Sequence, residues 1–403
     1  MTIMQRRRVL KAGAASILAC AVRALPAGAA EKVIKVGAAL PLTGPLSPEG
    51  TRQRNGFQLW ADTANAEGGI KVGGDVYKVE MIYVDYQSNT PRAVQAAERL
   101  ITQDKVNFLF APFGSGAVKA VSAVTEKYGI PMLAPNAASE QVYDQGFKYL
   151  FGVYSPNSTL TEPIAEIASR LDPPLKKVAI LSRNDLFPLA FAEDLKKSAE
   201  KRGIEVAYYE KYNIGTVDFS AALTGLRSVR PDWIVITGYT NDLILVRGQM
   251  VDQGIKSQLL TMVVGPLDPA FKEGVGRLSN NITTLAYWVP EASYDGVDIF
   301  GTSERFTKLY QEAYGAIPEY SSAGSAVCGA VLQLAIEQAG TIHPAKVRDA
   351  IAAMDEMTFY GPVKFAPSGQ ISSLKPPLVQ IQDGEFEIIY PPEIKTADLR
   401  LGF

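Results

Sequence analysis

Runs of apolar residues alternate along the chain with stretches that place apolar side chains on one helical face. Strand-like runs cover Val33–Leu40, Val76–Val84, Val106–Phe110, Ile130–Ala134, Val178–Ser182, Ile204–Tyr209, Trp233–Thr237, Gln258–Val263 and Ile282–Tyr287. Several are apolar without alternation, the pattern of parallel strands covered by helices on both faces. Between them, Val94, Ala97 and Ile101 form a stripe behind Thr90 as N-cap and Pro91 at the first helical position. Phe191, Leu195 and Ala199 recur at i, i+4, i+8, and Val327, Ala330, Val331 and Leu334 at i, i+3, i+4, i+7. Near the end, Leu378–Ile381 and Phe386–Tyr390 flank Asp383-Gly384, the signature of a β-hairpin. Strand–helix alternation of this kind predicts an α/β fold with mostly parallel sheets.

With 403 residues the chain exceeds what one core comfortably fills, so two α/β lobes are expected. A composition 47% hydrophobic and 20% charged is that of a globular chain. Forty basic against 42 acidic residues offer no nucleic-acid surface. The single histidine, His343, argues against a Ser-His-Asp triad, an HExxH protease or a His-rich zinc site. No GxSxG, P-loop or CxxC pattern is present, so neither an enzyme nor a cofactor is expected.

Residues 1–29 are different material. Arg6, Arg7, Arg8, Lys11 and Arg23 occur there without an acidic residue, followed by a weakly apolar run and Ala27-Gly28-Ala29, an A-x-A cleavage signature. The Arg6-Arg7-Arg8 cluster resembles a twin-arginine export signal. Cleavage near Ala29 predicts a soluble periplasmic protein and leaves Cys328 as the remaining thiol, so no intramolecular disulfide is expected. Lipidation at Cys20 is the alternative, although Leu18 fits a lipobox poorly. No later stretch is long and apolar enough to suggest a membrane span.

Candidate chemistry gathers behind strand carboxyl ends, where open α/β sheets bind ligands. Ala111-Pro112-Phe113-Gly114-Ser115-Gly116 leads into a helix, and its glycines, backbone N–H groups and the Ser115 hydroxyl suit a small carboxylate. Taken alone, this loop also reads as an ordinary βα turn capped by Ser115. Pro135-Asn136-Ala137-Ala138-Ser139 brings backbone groups to the same crevice. Phe187 and Tyr239 are aromatic covers from two further loops, and each alone is equally compatible with core packing. Asp268 places a carboxylate near the mouth, or caps a helix.

These residues and several longer motifs resemble the periplasmic leucine/isoleucine/valine-binding protein family, the type I solute-binding components of ABC importers. The motifs are Ile34-Lys35-Val36-Gly37, Leu42-Thr43-Gly44-Pro45, Asn65-Ala66-Glu67-Gly68-Gly69-Ile70 and Tyr128-Gly129-Ile130-Pro131-Met132-Leu133-Ala134-Pro135. Asp218-Phe219-Ser220, Tyr360-Gly361-Pro362-Val363 and Tyr390-Pro391-Pro392 extend the likeness over nearly the whole chain. The resemblance implies two Rossmann-like lobes joined by a three-stranded hinge, with 30–155 plus 284–366 in one lobe and 156–283 plus 367–403 in the other. It also implies a carboxylate held by Ser115, backbone contacts at Asn136 and Ala138, and aromatic lids at Phe187 and Tyr239. The implied cargo is a branched-chain amino acid or similar small carboxylate, delivered by a monomer to a membrane permease, with no metal. Two departures matter. Ala138 stands where amino-acid binders commonly carry threonine, and Leu267 stands where an acid pairs with the ligand's ammonium. Asp268, Glu49 or Asp242 must then substitute, or else the cargo is an aromatic or aliphatic acid, or a small amide, without an ammonium. A ligand sensor for a membrane receptor and, less economically, a hydrolase use the same cleft.

Overall fold

The computed structural model describes residues 31–403; the basic leader, the Ala27–Ala29 signature and Cys20 lie outside the described residues. The first lobe begins with β1 (Val33–Leu40), α1 (Ser47–Ala66), β2 (Ile70–Val72), β3 (Asp75–Asp85) and α2 (Thr90–Thr102). It continues with β4 (Phe108–Phe110), α3 (Ser115–Tyr128), β5 (Met132–Ala134) and β6 (Leu150–Gly152). These strands form a sheet of order β2-β3-β1-β4-β5-β6, parallel except for the β2–β3 pair. The chain winds outward from β1 to β3, then crosses back to β4 on the other side. That reversal opens a crevice beyond the carboxyl ends of β1 and β4.

The second lobe repeats the device. It contains α4 (Asn157–Arg170), β7 (Lys177–Arg183), α5 (Leu186–Glu200), β8 (Glu205–Tyr212) and α6 (Ser220–Ser228). Next come β9 (Trp233–Thr237), α7 (Thr240–Asp252), β10 (Leu259–Val263), α8 (Pro269–Val275) and β11 (Ile282–Leu285). The chain then returns to the first lobe, where α9 (Ser303–Tyr314) and α10 (Tyr320–Ala339) pack on α1 and are followed by α11 (Pro344–Ala352). A small hairpin, β12 (Asp355–Thr358) and β13 (Gly361–Lys364), precedes β14 (Leu378–Gln382) and β15 (Glu385–Tyr390). The second sheet has order β15-β14-β11-β10-β9-β7-β8, with β14 and β15 antiparallel to their neighbours. Its reversal lies between β7 and β9, so the loops carrying Phe187 and Tyr239 open at that crevice.

Every residue of β9 and β10 is buried, which explains their unbroken apolar runs. The hairpin turn at Asp383-Gly384 has φ of 53° and 88°, the left-handed pair that a two-residue turn requires. Some boundaries differ from the periodicity. Helix α2 is capped by Asn89, whose side chain accepts from the Arg92 N–H at 3.1 Å, and Thr90 is already helical. Strand β5 starts at Met132 because Pro131 has no N–H to give the ladder. Strands β2, β6, β12 and β13 are three or four residues long, too short to show a period. Cys328 is buried and unpaired. Among the described residues no single helix is long and apolar enough to cross a membrane.

Candidate ligand-binding cavity between the lobes

The two crevices face each other across a narrow cavity of about 20 Å³. Phe113 and Gly114 reach it from the loop after β4, Asn136 and Ala138 from the loop after β5, and Tyr154 from just beyond β6. Phe187 opens α5, Tyr239 caps α7 and Val264 follows β10. Tyr287 continues from β11, and Tyr320 is the first residue of α10. Asn136, Ala138, Phe187 and Tyr239 are thus brought together as wall residues.

Ser115 lies one residue behind the wall. It is fully buried, and its Oγ accepts from the Ser139 N–H at 3.3 Å, tying the β4 and β5 loops together. Helix α3 starts at Ser115 rather than near Ala117, and its N-cap is Gly114, at φ 87°. The first turn of α3 therefore presents N–H groups without helical acceptors beside the cavity.

Asp268 is not part of the wall. Its carboxylate caps α8 through the Ala270 N–H at 2.9 Å, accepts from the Thr240 hydroxyl at 3.0 Å and pairs closely with Arg52. Arg52 also lies 3.6 Å from Glu319 and 3.9 Å from Glu49. Burial raises the carboxyls of Glu49 and Glu319 above the ordinary glutamate range, against the pull of Arg52. This cluster joins the lobes, because Glu49 and Arg52 belong to α1 whereas Thr240 and Asp268 belong to the second lobe. Asn241 adds a bond to the Pro45 carbonyl at 3.0 Å, and the Phe113 and Tyr239 rings meet edge to face at 5.5 Å.

Among the described residues no ionised side chain lines the cavity. Two acids lie near Tyr239: Asp242 is held by Arg183 at 2.6 Å and accepts from the Tyr239 N–H at 3.3 Å, while Asp185 accepts from the Leu186 N–H at 2.7 Å and lies 3.6 Å from Arg183. The Arg183 guanidinium sits 4.9 Å over the Tyr239 ring, stiffening the lid from outside. Tyr154 and Tyr287 stack at 3.8 Å, and Tyr320 tilts against both. Burial pushes the hydroxyls of Tyr154, Tyr239, Tyr287 and Tyr320 well up, so they remain neutral. Among the described residues no cluster of His, Cys, Asp and Glu is arranged to hold a metal ion.

Tyr154, Tyr287 and Tyr320 were not among the candidates from sequence. Tyr154 follows a strand of three residues, and Tyr320 begins a helix whose partner is distant in sequence. Only the proximity of loops after β6, the loops after β11 and the α10 N-terminus makes them neighbours.

A family model described as periplasmic binding protein matches residues 33–385. The Leu/Ile/Val-binding protein homolog 7 of Brucella abortus is 27% identical, over 96% of this chain and 98% of that protein. The branched-chain amino acid substrate-binding protein LivJ of Streptococcus pneumoniae, solved with isoleucine, superposes with a TM-score of 0.78 at 24% identity, covering 89% of this chain and 100% of that one. A solute-binding protein of R. palustris, solved with benzoate, gives 0.76 at 21% identity, covering 91% and 98%. The fold is therefore that of type I periplasmic binding proteins. With the family match running through both lobes, this chain belongs to the periplasmic binding protein family.

Proposed function

We propose that the protein is the extracytoplasmic solute-binding component of an ABC importer, and that its cargo is a small carboxylic acid without an ammonium group, an aromatic acid above all. The lobes comprise 30–155 plus 284–366 and 156–283 plus 367–403, and the hinge between them lets the ligand draw them together by contacting both. The carboxylate sits against the first turn of α3, with Ser115 as hydroxyl donor, and Phe187 and Tyr239 close over the ring. Asn136 and Ala138 flank it.

The observation that carries this reading is the uncharged wall. An ammonium buried there would have no counter-charge, which is costly. The acids near the wall have partners elsewhere: Asp268, Glu49 and Glu319 in the Arg52 cluster, and Asp242 and Asp185 at Arg183. A branched-chain amino acid is the second reading, supported by the names of the relatives and by the isoleucine held in the LivJ structure.

Thermal shift with benzoate, phenylacetate, leucine and isoleucine separates the two. Saturating aromatic acid should raise the melting temperature by a few degrees, because ligand at 100 times Kd stabilises by about 2.7 kcal/mol. Leucine should leave it unchanged. A shift with leucine and none with either aromatic acid would reverse the order. Import, as opposed to sensing, predicts that cells lacking the protein lose uptake of labelled ligand.

A further inference from the structure

One turn of α1 directs its charged side chains at the opposite lobe. Among the described residues the Arg52 guanidinium makes one hydrogen bond, to Asp268, and the Glu49 carboxyl makes one, with the Thr240 hydroxyl at 3.0 Å. Thr240 Oγ1 lies the same 3.0 Å from Asp268 Oδ2. A threonine hydroxyl has one proton to give, so it cannot donate to two carboxylates at once. Asp268 is the anion of the pair, because it accepts from Arg52 and from the Ala270 N–H. The contact at Glu49 is then a bond only when Glu49 holds a proton and donates it to Thr240. Glu49 suits that role: it is 1% exposed, its other oxygen has no partner among the described residues, and burial raises its carboxyl. The surrounding charges agree. Arg52 supplies the cation, Asp268 one anion, and Glu319, which accepts from the Ser321 and Ser322 N–H groups at 2.7 Å, the other. Tyr86, Tyr239 and Tyr320, also within reach of Glu49, are kept neutral by burial. An ionised Glu49 would be a third anion on one guanidinium.

We propose that Glu49, Thr240, Asp268 and Arg52 form a latch across the lobes, a relay held by one proton on Glu49, that closes the empty protein and releases it when Glu49 ionises. The latch works whichever ligand the cavity takes, because none of the four residues lines the cavity. Its halves are also satisfied apart, as a switch requires. When the lobes separate, Arg52 keeps Glu49 and Glu319 beside it, and Asp268 keeps the Ala270 N–H and the Thr240 hydroxyl. Neither half is left with a buried, unpaired charge. Opening admits water to Glu49, so its proton is held more tightly in the closed form than in the open one. The latch is therefore complete below the open-form value of Glu49 and is lost as pH rises through the closed-form value.

The test is X-ray scattering by the ligand-free full chain in a pH series rising from about 4.5, the ordinary value for a glutamate. The radius of gyration should grow with pH, the closed-to-open ratio falling by about tenfold per pH unit at the steepest, the limit for one proton. Glu49→Gln, whose amide donates to Thr240 as the protonated acid does, should stay compact throughout. Asp268→Asn, which keeps a cap acceptor for α8 but loses the ion pair, should be expanded at every pH. A parent radius that ignores pH overturns the latch, as does a Glu49→Gln series that follows the parent. So does Asp268→Asn as compact as the parent at its lowest pH. If Asp268→Asn does not fold, the parent and Glu49→Gln series decide between them.

Discussion

Gly114 and Ser115 stand where β4 becomes α3, and the backbone there is bent as few residues allow. A methyl group added at Gly114 would lie 3.5 Å from the Tyr239 hydroxyl, which the cavity tolerates, but φ of 87° is strained for any L side chain. Gly114→Ala should therefore lower stability by about 1 kcal/mol or more and weaken ligand binding, checked by melting and calorimetry on the same preparation. Ser115→Ala should cost about tenfold in affinity for the carboxylate with little change in melting temperature, because among the described residues the serine hydroxyl bonds only with the Ser139 N–H, at 3.3 Å. An unchanged affinity would remove Ser115 from the site. The Gly-Ser-Gly sequence announced this loop, since glycine is rarely spent where the backbone is ordinary. Asp268 was legible as a helix cap, which it is, but its ion pair with Arg52 spans 216 positions of chain and no local pattern encodes it.

Helix α10 shows how an element can be recognised without its surroundings being known. The stripe through Val327, Ala330, Val331 and Leu334 reads as one buried face, yet every residue from Tyr320 to Leu332 is buried and Leu334 only partly so. The helix is enclosed because α1 lies against it at close range. A methyl group at Gly329 would fall 2.2 Å from the Trp60 ring, and one at Gly56 would fall 2.2 Å from the Ser322 carbonyl. Gly329→Ala should thus destabilise by about 1–3 kcal/mol through overpacking, despite alanine's better helix propensity. A melting temperature equal to or above that of the parent protein would show that Trp60 can move aside. Periodicity failed for β2, β6 and the β12–β13 hairpin for the opposite reason: three or four residues hold too little pattern, and pairing partners alone define them.

At the scale of the whole molecule, the contacts between the lobes include buried acids whose raised carboxyl values tie stability to pH. Glu49 and Glu319 flank Arg52 together with Asp268, and Tyr320 packs beside them; burial lifts both glutamate carboxyls above their ordinary 4.5. An acid whose folded value is raised stabilises fully below its unfolded value, and that contribution is lost as pH climbs through the folded one. The ligand-free protein should accordingly melt at a lower temperature as pH rises above about 4.5, and Glu49→Gln should flatten the slope. A slope that Glu49→Gln leaves unaltered would mean that Glu49 is already ionised in the folded protein. Glu162, whose bond from Arg202 holds its carboxyl below the usual value, acts in the opposite sense but only at more acid pH.

From residue order alone follow the α/β class, the two-lobed organisation expected of so long a chain, the boundaries of β9, the closing hairpin to within one residue at its inner ends, and the loops carrying Ser115, Asn136, Ala138, Phe187 and Tyr239. These are local or periodic properties: side chains three, four or two apart share a face, and turns demand particular residues. Tertiary structure alone decided which acids remain free, because Arg52 gathers Asp268 and Glu319 from two distant segments beside Glu49 of its own helix. It also decided that Tyr154, Tyr287 and Tyr320 share a wall with Asn136. Charge and hydrogen-bond satisfaction depend on what meets in space, and a one-dimensional pattern does not carry that information.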